Sequence, residues 1–370
     1  MKIGTLTTHM ADNYGAVLQA YALSTYLREQ TDCEIMHYYP TYLQDAYHKR
    51  VRITDIKSAI NSLFYCLHAS KRKRRSRRFA AFREQYMRLS PLYRTREELT
   101  AAAENYAGIV AGSDQIWNPD IHGFDENFFL TFCSDAVRKY GYAPSFGVGK
   151  LTDEQAAEVK RRCEGFRHLA FREESGVQIA REVLDRECPL VLDPVFLLPA
   201  EHWRKLKAAD APKEKYVLCY FLSDPRGSVE AMCKRFQKEG YTIYSIGFSV
   251  RDMLNSAKKV YDLGPAEFLA YIDNAAYILT DSFHATAFSL LFGKNFYTRT
   301  DGKNAKRADR VISLLKQAGV PERTYADAEA ATLPFTPIDE RVGQALAPAV
   351  AASRAYADSI VTDCTVADYT

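Results

Sequence analysis

The residues best suited to chemistry lie in one short stretch, Thr280-Asp-Ser-Phe-His284, between two apolar segments. The apolar run before it, 276–279, is typical of a buried strand, and an apolar pattern at helical spacing begins at Ala287. A strand that leads into a helix puts these polar residues at the carboxyl end of a sheet, beside the first amides of the helix. That position suits an anionic ligand, and a histidine there can hold or deliver a proton near neutral pH.

Polar neighbours of His284 favour a functional role over a structural one; they are Asp281, Ser282 and Thr286. A lone histidine is more often structural, and this alternative stays open on the sequence alone. A segment rich in Arg and Lys, 299–310, follows. Arg310, at its end, either faces the same site or belongs to a solvated basic loop.

A second polar motif, 12–16, lies between the first predicted strand, 2–7, and a helix. Gly15 allows the backbone to come close to a ligand. Asn13 is a good N-cap for the helix that follows. The alternative is a capped turn without a ligand.

A third polar motif, 112–119, follows the predicted buried strand 108–112. Four hydrogen-bonding side chains lie on either side of an aromatic residue, Trp117, and a single turn requires fewer than four. They are Ser113, Asp114, Gln115 and Asn118. This pattern is typical of sugar recognition. The alternative is a turn in which Asp114 and Asn118 accept hydrogen bonds from backbone amides.

Arg172 follows the predicted strand 168–171 and precedes a helix. A guanidinium at a strand end can bind a phosphate or a carboxylate through two hydrogen bonds. The alternative is a structural ion pair with Glu173 or Glu174.

Length and composition limit the class of protein. The 370 residues indicate two domains, and 47% hydrophobic with 26% charged residues is typical of a soluble globular protein. No apolar run approaches the ~18 residues that span a bilayer, and the amino terminus is too weakly apolar for a secretory signal.

The eight cysteines form no CxxC pair and no ligand spacing with histidine. We therefore expect a cytoplasmic protein with reduced thiols and no metal site; without a GxGxxG motif, no nicotinamide or flavin cofactor is indicated.

The net charge of +3 is close to balance, but the segment Lys71-Arg-Lys-Arg-Arg-Ser-Arg-Arg78 is strongly basic. Apolar residues follow it at helical spacing, so one interpretation is the solvated face of a helix. A second is contact with anionic lipid headgroups or with a lipid-linked diphosphate acceptor. Nucleic-acid binding is the least favoured, because basic and aromatic residues do not alternate.

Strand and helix patterns alternate almost throughout, which predicts an α/β protein with mainly parallel sheets. We predict a Rossmann-like domain over 1–195, with a basic helical insertion at about 41–106. A second Rossmann-like domain is predicted over 196–335, after a proline-marked crossover. The alanine-rich tail, 336–370, is predicted to be helical and to pack back on the first domain. Two such domains predict a cleft between them.

Six motifs, in order along the chain, resemble the polysaccharide pyruvyltransferase family. They are Asn13-Tyr-Gly-Ala-Val-Leu-Gln19, Gly112-Ser-Asp-Gln-Ile-Trp-Asn-Pro119, Phe171-Arg-Glu-Glu-Ser175, Val191-Leu-Asp-Pro194, Thr280-Asp-Ser-Phe-His-Ala-Thr286 and Ala308-Asp-Arg-Val-Ile-Ser-Leu-Leu315. The sequence departs from the family pattern at Pro144, where a small residue is expected, and at Ala285, where many relatives have glycine.

The resemblance implies a GT-B-like pair of Rossmann-type domains that transfers a pyruvyl group from phosphoenolpyruvate to two sugar hydroxyls. The product is a cyclic ketal in a cell-surface polysaccharide, and phosphate is released. The acceptor is a saccharide or a lipid-linked saccharide, no cofactor is implied, and the location is cytoplasmic or at the inner face of the membrane. Two alternatives stay open: a GT-B glycosyltransferase with a nucleotide-sugar donor, and a non-catalytic binding protein of a polysaccharide locus.

The family's donor-site histidine and arginines fall on His284, Arg172 and Arg310. We expect His284 to act as the general acid, or only to bind phosphate, and Asp114 to act as the base. The predicted donor site also includes Ser282, Thr286, Asn13 and Gly15. The predicted acceptor site consists of Ser113, Gln115, Trp117 and Asn118.

Overall fold

The computed structural model describes residues 1–43, 66–225, 227–247, 257–301, 308–330, 332–339 and 341–365. They form two compact units. The first comprises the described residues within Met1–His48, Arg83–Leu198 and Ala347–Thr370, and the second those within Lys49–Phe82 and Pro199–Leu346.

The first unit is built on a parallel six-stranded sheet in the order β3-β2-β1-β4-β5-β6. Its strands are β1 (Lys2–Leu6), β2 (Asp32–Tyr38), β3 (Leu89–Tyr93), β4 (Gly108–Ala111), β5 (Arg138–Tyr142) and β6 (Phe166–Ala170). The helices from the same part of the chain are α1 (Tyr14–Arg28), α2 (Ala69–Tyr86), α3 (Arg96–Ala103), α4 (Asp153–Arg162) and α5 (Glu174–Leu184). Residues 69–82 of α2 belong to the second unit.

The second unit repeats this topology with the order β12-β11-β10-β7-β8-β9. Its strands are β7 (Tyr216–Tyr220), β8 (Thr242–Ile246), β9 (Lys258–Val260), β10 (Tyr277–Thr280), β11 (Asn295–Arg299) and β12 (Thr324–Tyr325). Its helices are α6 (Ala200–Leu206), α7 (Ser228–Lys238), α8 (Pro265–Asn274), α9 (Phe283–Leu291) and α10 (Ala308–Gln317).

Both sheets are parallel and covered by helices, so their central strands are largely apolar and are buried along almost their whole length. Every residue of β4, β7 and β10 is buried. The prediction of an α/β protein with two Rossmann-type units is confirmed.

The predicted helical insertion at about 41–106 differs from the structure. Within this range β3 pairs in parallel with β2, and α3 follows it. The pattern hides this strand because β3 is an edge strand that contains Pro91, and an edge strand tolerates proline. Residues 44–65 of the predicted insertion lie outside the described residues.

The long helix α11 (Val342–Thr365) ends the described chain, and its residues from Ala347 belong to the first unit. The backbone N–H of Leu192 donates to Ser353 Oγ at 2.8 Å, and the Tyr356 hydroxyl donates to the carbonyl of Gly141 at 2.8 Å. Gly108 lets the helix approach the sheet, since a Cβ there would lie 2.6 Å from Cys364 Sγ.

In each sheet the chain runs from a central strand to one edge and then returns to continue towards the other edge. The strand order therefore reverses between β1 and β4 in the first unit and between β7 and β10 in the second. Ligands of open α/β sheets bind at the carboxyl ends of strands at such a position. We call residues 7–13 with 112–115 the first switch point, and residues 221–224 with 280–284 the second switch point.

Candidate functional site

At the second switch point a two-residue loop joins β10 to α9. The Thr280 hydroxyl donates to the carbonyl of Tyr220 at 2.6 Å, which ties the ends of β10 and β7 together. Ser282 is the N-cap of α9, and its hydroxyl accepts a hydrogen bond from the Ala285 amide at 3.4 Å. The predicted sequence of strand, polar loop and helix is therefore present at this position.

Asp281 anchors this loop rather than facing a ligand. Its side chain is fully buried. The carboxylate accepts hydrogen bonds from the amides of Leu222 (2.6 Å) and Ser223 (3.1 Å) and from the Ser223 hydroxyl (2.5 Å). It also forms an ion pair of 3.3 Å with Arg299. These contacts hold the ends of β7, β10 and β11 in one arrangement.

Arg299 is a residue that the sequence analysis missed. Its side chain is 3% exposed. One guanidinium nitrogen donates to the carbonyl of Asp224 at 3.0 Å, and the other to the Ser223 hydroxyl and to Asp281. In the sequence it is only the first member of a basic segment, so its partners in the loops after β7 and β10 could not be identified there.

His284 lies in the first turn of α9 and is 8% exposed. Phe283, His284, Ala285 and Thr286 form this turn, so it contains no acidic side chain, and a helix N-terminus carries partial positive charge. The Phe283 ring stands perpendicular to the imidazole, with the ring centroids 5.2 Å apart. The Arg310 guanidinium lies 5.7 Å from the same Phe283 ring. The imidazole of His284 and the guanidinium of Arg310 therefore both lie against the Phe283 ring.

Thr286 has a supporting position in the fold. It is fully buried, donates to the carbonyl of Ser282 at 3.0 Å and shares a 2.7 Å hydrogen bond with the Thr298 hydroxyl. These bonds hold α9 against β11. The predicted contact of Ser282 and Thr286 with the donor stays a prediction.

At the first switch point, β1 and β4 are also tied together by a threonine. The Thr7 hydroxyl donates to the carbonyl of Ser113 at 2.7 Å and accepts from Gln19 Nε2 at 3.0 Å. Asn13 is the exposed N-cap of α1 and accepts from the Ala16 amide at 3.3 Å. Gly15 lies inside the first turn of α1 and is buried.

Arg172 is the centre of an acidic cluster at this switch point. Its side chain has no exposed surface. One guanidinium nitrogen contacts Asp193 at 2.5 Å and the Ser113 hydroxyl at 3.1 Å, and the other contacts Asp114 at 3.2 Å. Glu173 lies 3.7 Å from its Nε. The ion pair with Glu173 foreseen as the alternative is therefore present, and Asp114 and Asp193 are further partners from distant parts of the chain.

Burial disfavours the charged form of Arg172, yet the three carboxylates outweigh this effect and raise its pKa above the usual value. The guanidinium is therefore always positively charged, and the three carboxylates around it outnumber this one cation. Asp114, whose side chain is 18% exposed, is the most exposed member of the cluster. It has a left-handed backbone conformation with φ 76°, and its carbonyl accepts from the Ser145 amide at 2.9 Å.

Gln115 and Asn118 are hydrogen-bonded to each other, with Asn118 Nδ2 donating to Gln115 Oε1 at 2.7 Å. Both amides lie against Gly147, where any Cβ would overlap them. Asn118 also accepts from the Asp120 amide at 2.9 Å, which is the turn role foreseen as the alternative.

Trp117 is an aromatic centre of the first unit's core and has no exposed surface. Its ring stacks on Phe129 at 4.7 Å, and its Nε1 donates to the carbonyl of Phe128 at 2.9 Å. Ser113 is also fully buried. These positions do not fit the predicted acceptor contacts of Trp117 and Ser113, since neither side chain has surface to offer a sugar. Gln115 is partly exposed and fits better.

His9 follows β1 and was not selected from the sequence. Its Nδ1 lies 2.9 Å from the carbonyl of Thr7, to which it donates, and its ring is 5.4 Å from that of His37. Burial lowers the pKa of His9 to about 3, against an opposing contribution from the Thr7 hydrogen bond. His9 is therefore neutral and adds no charge to the first switch point.

Among the described residues, no group of three His, Cys, Asp or Glu side chains is arranged to hold a metal ion. No helix in that part of the chain is both long and apolar enough to cross a membrane.

The family model for polysaccharide pyruvyl transferases matches residues 13–299. The chain belongs to this family. The second switch point and residues 13 and 112–115 of the first lie inside the matched range, whereas residues 7–12 and Arg310 lie outside it. No curated protein sequence matches the chain.

Solved structures with a similar fold include two UDP-GlcNAc 2-epimerases. The enzyme from Rickettsia bellii has a TM-score of 0.53 at 10% identity, covering 98% of this chain and 95% of its own. The enzyme from Methanocaldococcus jannaschii has a TM-score of 0.51 at 13% identity, covering 94% and 92%. At such identities the similarity concerns the fold alone, and the GT-B-like class predicted for this member of the pyruvyl transferase family is confirmed.

Proposed function

We propose that the protein transfers a pyruvyl group from phosphoenolpyruvate to two hydroxyls of a saccharide, in the cytoplasmic synthesis of a cell-surface polysaccharide. Family membership supports the reaction class. The observation that carries the choice of donor is the pair His284 and Arg310 around Phe283 at the N-terminus of α9.

Phosphoenolpyruvate has a phosphate and a carboxylate on three carbons, so its site requires several fixed positive groups. The α9 N-terminus, the Arg310 guanidinium and a protonated His284 supply them on one unit. Asp281 does not oppose an anion there, because its charge is buried against Arg299.

The reaction begins with protonation of the methylene carbon of phosphoenolpyruvate, which becomes the methyl group of the product. We assign this proton to His284. The adjacent carbon becomes an oxocarbenium-like centre, and the first sugar hydroxyl forms a C–O bond to it as that hydroxyl loses its proton. The second hydroxyl then forms the other C–O bond while the C–O bond to phosphate breaks, and its proton is taken up by the departing phosphate. The products are a cyclic ketal and inorganic phosphate.

We assign the proton of the attacking hydroxyl to Asp114. It is the most exposed carboxylate of the Arg172 cluster, and ionised neighbours fix its position. In this scheme Arg172 orients Asp114. The contact of Arg172 with the donor, implied by the family resemblance, is a separate proposal that the variants below distinguish. Gln115, beside Asp114, is the proposed acceptor contact.

Titration calorimetry with phosphoenolpyruvate, UDP-N-acetylglucosamine and UDP tests the donor. We expect binding of phosphoenolpyruvate only, and binding that is weakened in Arg310→Gln. Binding of a nucleotide sugar without phosphoenolpyruvate would instead support a glycosyltransferase on this fold. Phosphate release with a panel of saccharides then separates an enzyme from a non-catalytic binding protein.

A further inference from the structure

The basic segment at the start of α2 has an exposed face that the proposed reaction does not use. Helix α2 holds eight of the 49 Lys and Arg residues and one of the 46 acidic residues. The remaining chain therefore has 41 basic and 45 acidic residues and a net negative charge. This helix is therefore positively charged, whereas the rest of the chain has a net negative charge. No Asp or Glu occurs between residues 66 and 83.

The inner side of the helix is fixed within the second unit. Arg78 Nε lies 3.1 Å from Glu267 at the start of α8, and Arg78 Nη1 donates to the carbonyl of Asp262 at 2.8 Å. A Cβ at Gly264 would lie 2.5 Å from Arg78 Cβ, so the helix packs closely on this turn. Phe79 is fully buried. These contacts hold the opposite face of the helix in a fixed orientation.

The outer face presents exposed cations, of which Lys71 lies 5.4 Å from the centre of the Tyr261 ring and Arg74 pairs with Asp262 at 3.0 Å. The exposed basic residues are Lys71, Arg72, Lys73, Arg74 and Arg77. Lys73 and Arg77 are four residues apart and lie on the same side of the helix. Leu67, just before the helix, is 71% exposed, which gives this face an apolar side chain beside its cations.

We propose that this face, residues 66–77, docks the protein on an anionic lipid bilayer. Cations at a membrane surface attract anionic headgroups, and an adjacent exposed leucine can enter the interface. A nucleic acid would use the cations but not Leu67, and the face has no exposed aromatic side chain on which a base could stack. The net negative charge elsewhere would turn the rest of the molecule away from the bilayer. This inference does not depend on the proposed reaction.

Co-sedimentation of the full chain with vesicles tests it, using phosphatidylcholine alone or mixed with phosphatidylglycerol. We expect binding only to the mixed vesicles, and weaker binding as salt is raised. Replacing Lys73→Gln and Arg77→Gln together should weaken binding about 30-fold, because each basic residue near the surface contributes about 1 kcal/mol, or about fivefold in affinity. The matched control, Lys234→Gln with Lys238→Gln, removes two exposed lysines four residues apart on α7 and should bind as the unmodified protein does.

Leu67→Ser should weaken binding about tenfold at low and at high salt, since its contribution is apolar. Thermal unfolding of each variant should match that of the unmodified protein, because all the changed side chains are exposed. Equal binding to both kinds of vesicle, equal loss in the α7 control, or tighter binding to single-stranded RNA than to mixed vesicles would overturn the proposal. None of these outcomes bears on phosphoenolpyruvate binding, so the two proposals fail separately.

Discussion

The two switch points have the same topology and the same kind of buried anchor, but they differ in the charged side chains that lie beside it. Each has an arginine paired with an aspartate beneath the strand ends: Arg172 with Asp193 in the first unit, and Arg299 with Asp281 in the second. At the first, the partly exposed carboxylates are those of Asp114 and of Asp12, which pairs with Arg83. At the second, His284 and the nearby Arg310 are 8% and 7% exposed, and the acidic residue Asp224 is exposed.

The comparison separates charges that hold the loops from charges that can meet a ligand. A buried ion pair gives little net stability, but it leaves a costly unpaired charge when one partner is lost. The paired residues are therefore required for the fold of each switch point. In the proposed function, the anionic donor binds at the second switch point, beside His284 and Arg310, and the hydroxyl-bearing acceptor binds at the first, beside Asp114.

The largest expected effect is on the rate. His284→Gln should lower turnover by ~10²–10⁴, the usual contribution of a positioned general acid, with a smaller change in phosphoenolpyruvate affinity. Phosphate release and calorimetry on the same protein measure the two quantities. Asp114→Asn is the counterpart at the first switch point and should lower turnover without changing donor affinity. A donor affinity that depends on Asp114 but not on His284 would reverse the assignment of the two sites.

The next effect is on stability. Arg172→Met leaves Asp193 and Glu173 buried without their cation and should cost about 3–5 kcal/mol in the free energy of unfolding, measured in denaturant. Asp193→Asn in the same chain should restore part of this loss. Arg299→Met should behave alike at the second switch point, because Asp281 is equally buried.

Arg172→Lys separates an anchor from a donor contact. A lysine keeps the charge but cannot span Asp193 and Asp114 with two nitrogens. If Arg172 only orients Asp114, the variant should lose turnover and stability while phosphoenolpyruvate affinity stays unchanged. A selective loss of donor affinity would show instead that Arg172 binds the donor, as the family resemblance implies.

A smaller effect is expected on donor binding. Arg310→Gln should weaken phosphoenolpyruvate binding about 10–100-fold, since one hydrogen bond to a charged group contributes about 1.5–3 kcal/mol. Calorimetry measures this change. Arg341→Gln, which alters an exposed arginine paired with Asp339 in the same unit, is the control and should bind donor normally.

The smallest effect concerns the acceptor. Gly147 has φ +63°, and a Cβ there would overlap the Gln115 and Asn118 amides. Gly147→Ala should cost about 1–2 kcal/mol from the left-handed conformation alone and should raise the KM for the saccharide, not for phosphoenolpyruvate. Equal changes in both KM values would show that Gln115 does not belong to a separate acceptor site.

The sequence predicts the fold class and the position of the His284 loop because both depend on local patterns. An apolar run, a polar loop and a helical repeat are contiguous, and the N-caps Asn13 and Ser282 act within three residues of their own position. The edge strand β3 is not predicted, because Pro91 weakens the strand pattern and the segment is interpreted as part of a helical insertion.

The charge pairs could not be predicted in the same way. Arg172 lies 21 residues from Asp193 and 58 from Asp114, and Arg299 lies 18 from Asp281. Such pairs follow from strand order and register, which one sequence does not define. Trp117 appears in the sequence as a loop aromatic, but its ring packs on Phe129 and others in the core, where its large apolar surface is best buried.

A crystal structure of the protein with phosphoenolpyruvate tests the central assignment most directly. We predict that the donor phosphate lies at the first turn of α9, within hydrogen-bond distance of His284 and Arg310. A donor bound instead among Arg172, Asp114 and Ser113, with the α9 N-terminus vacant, would contradict it.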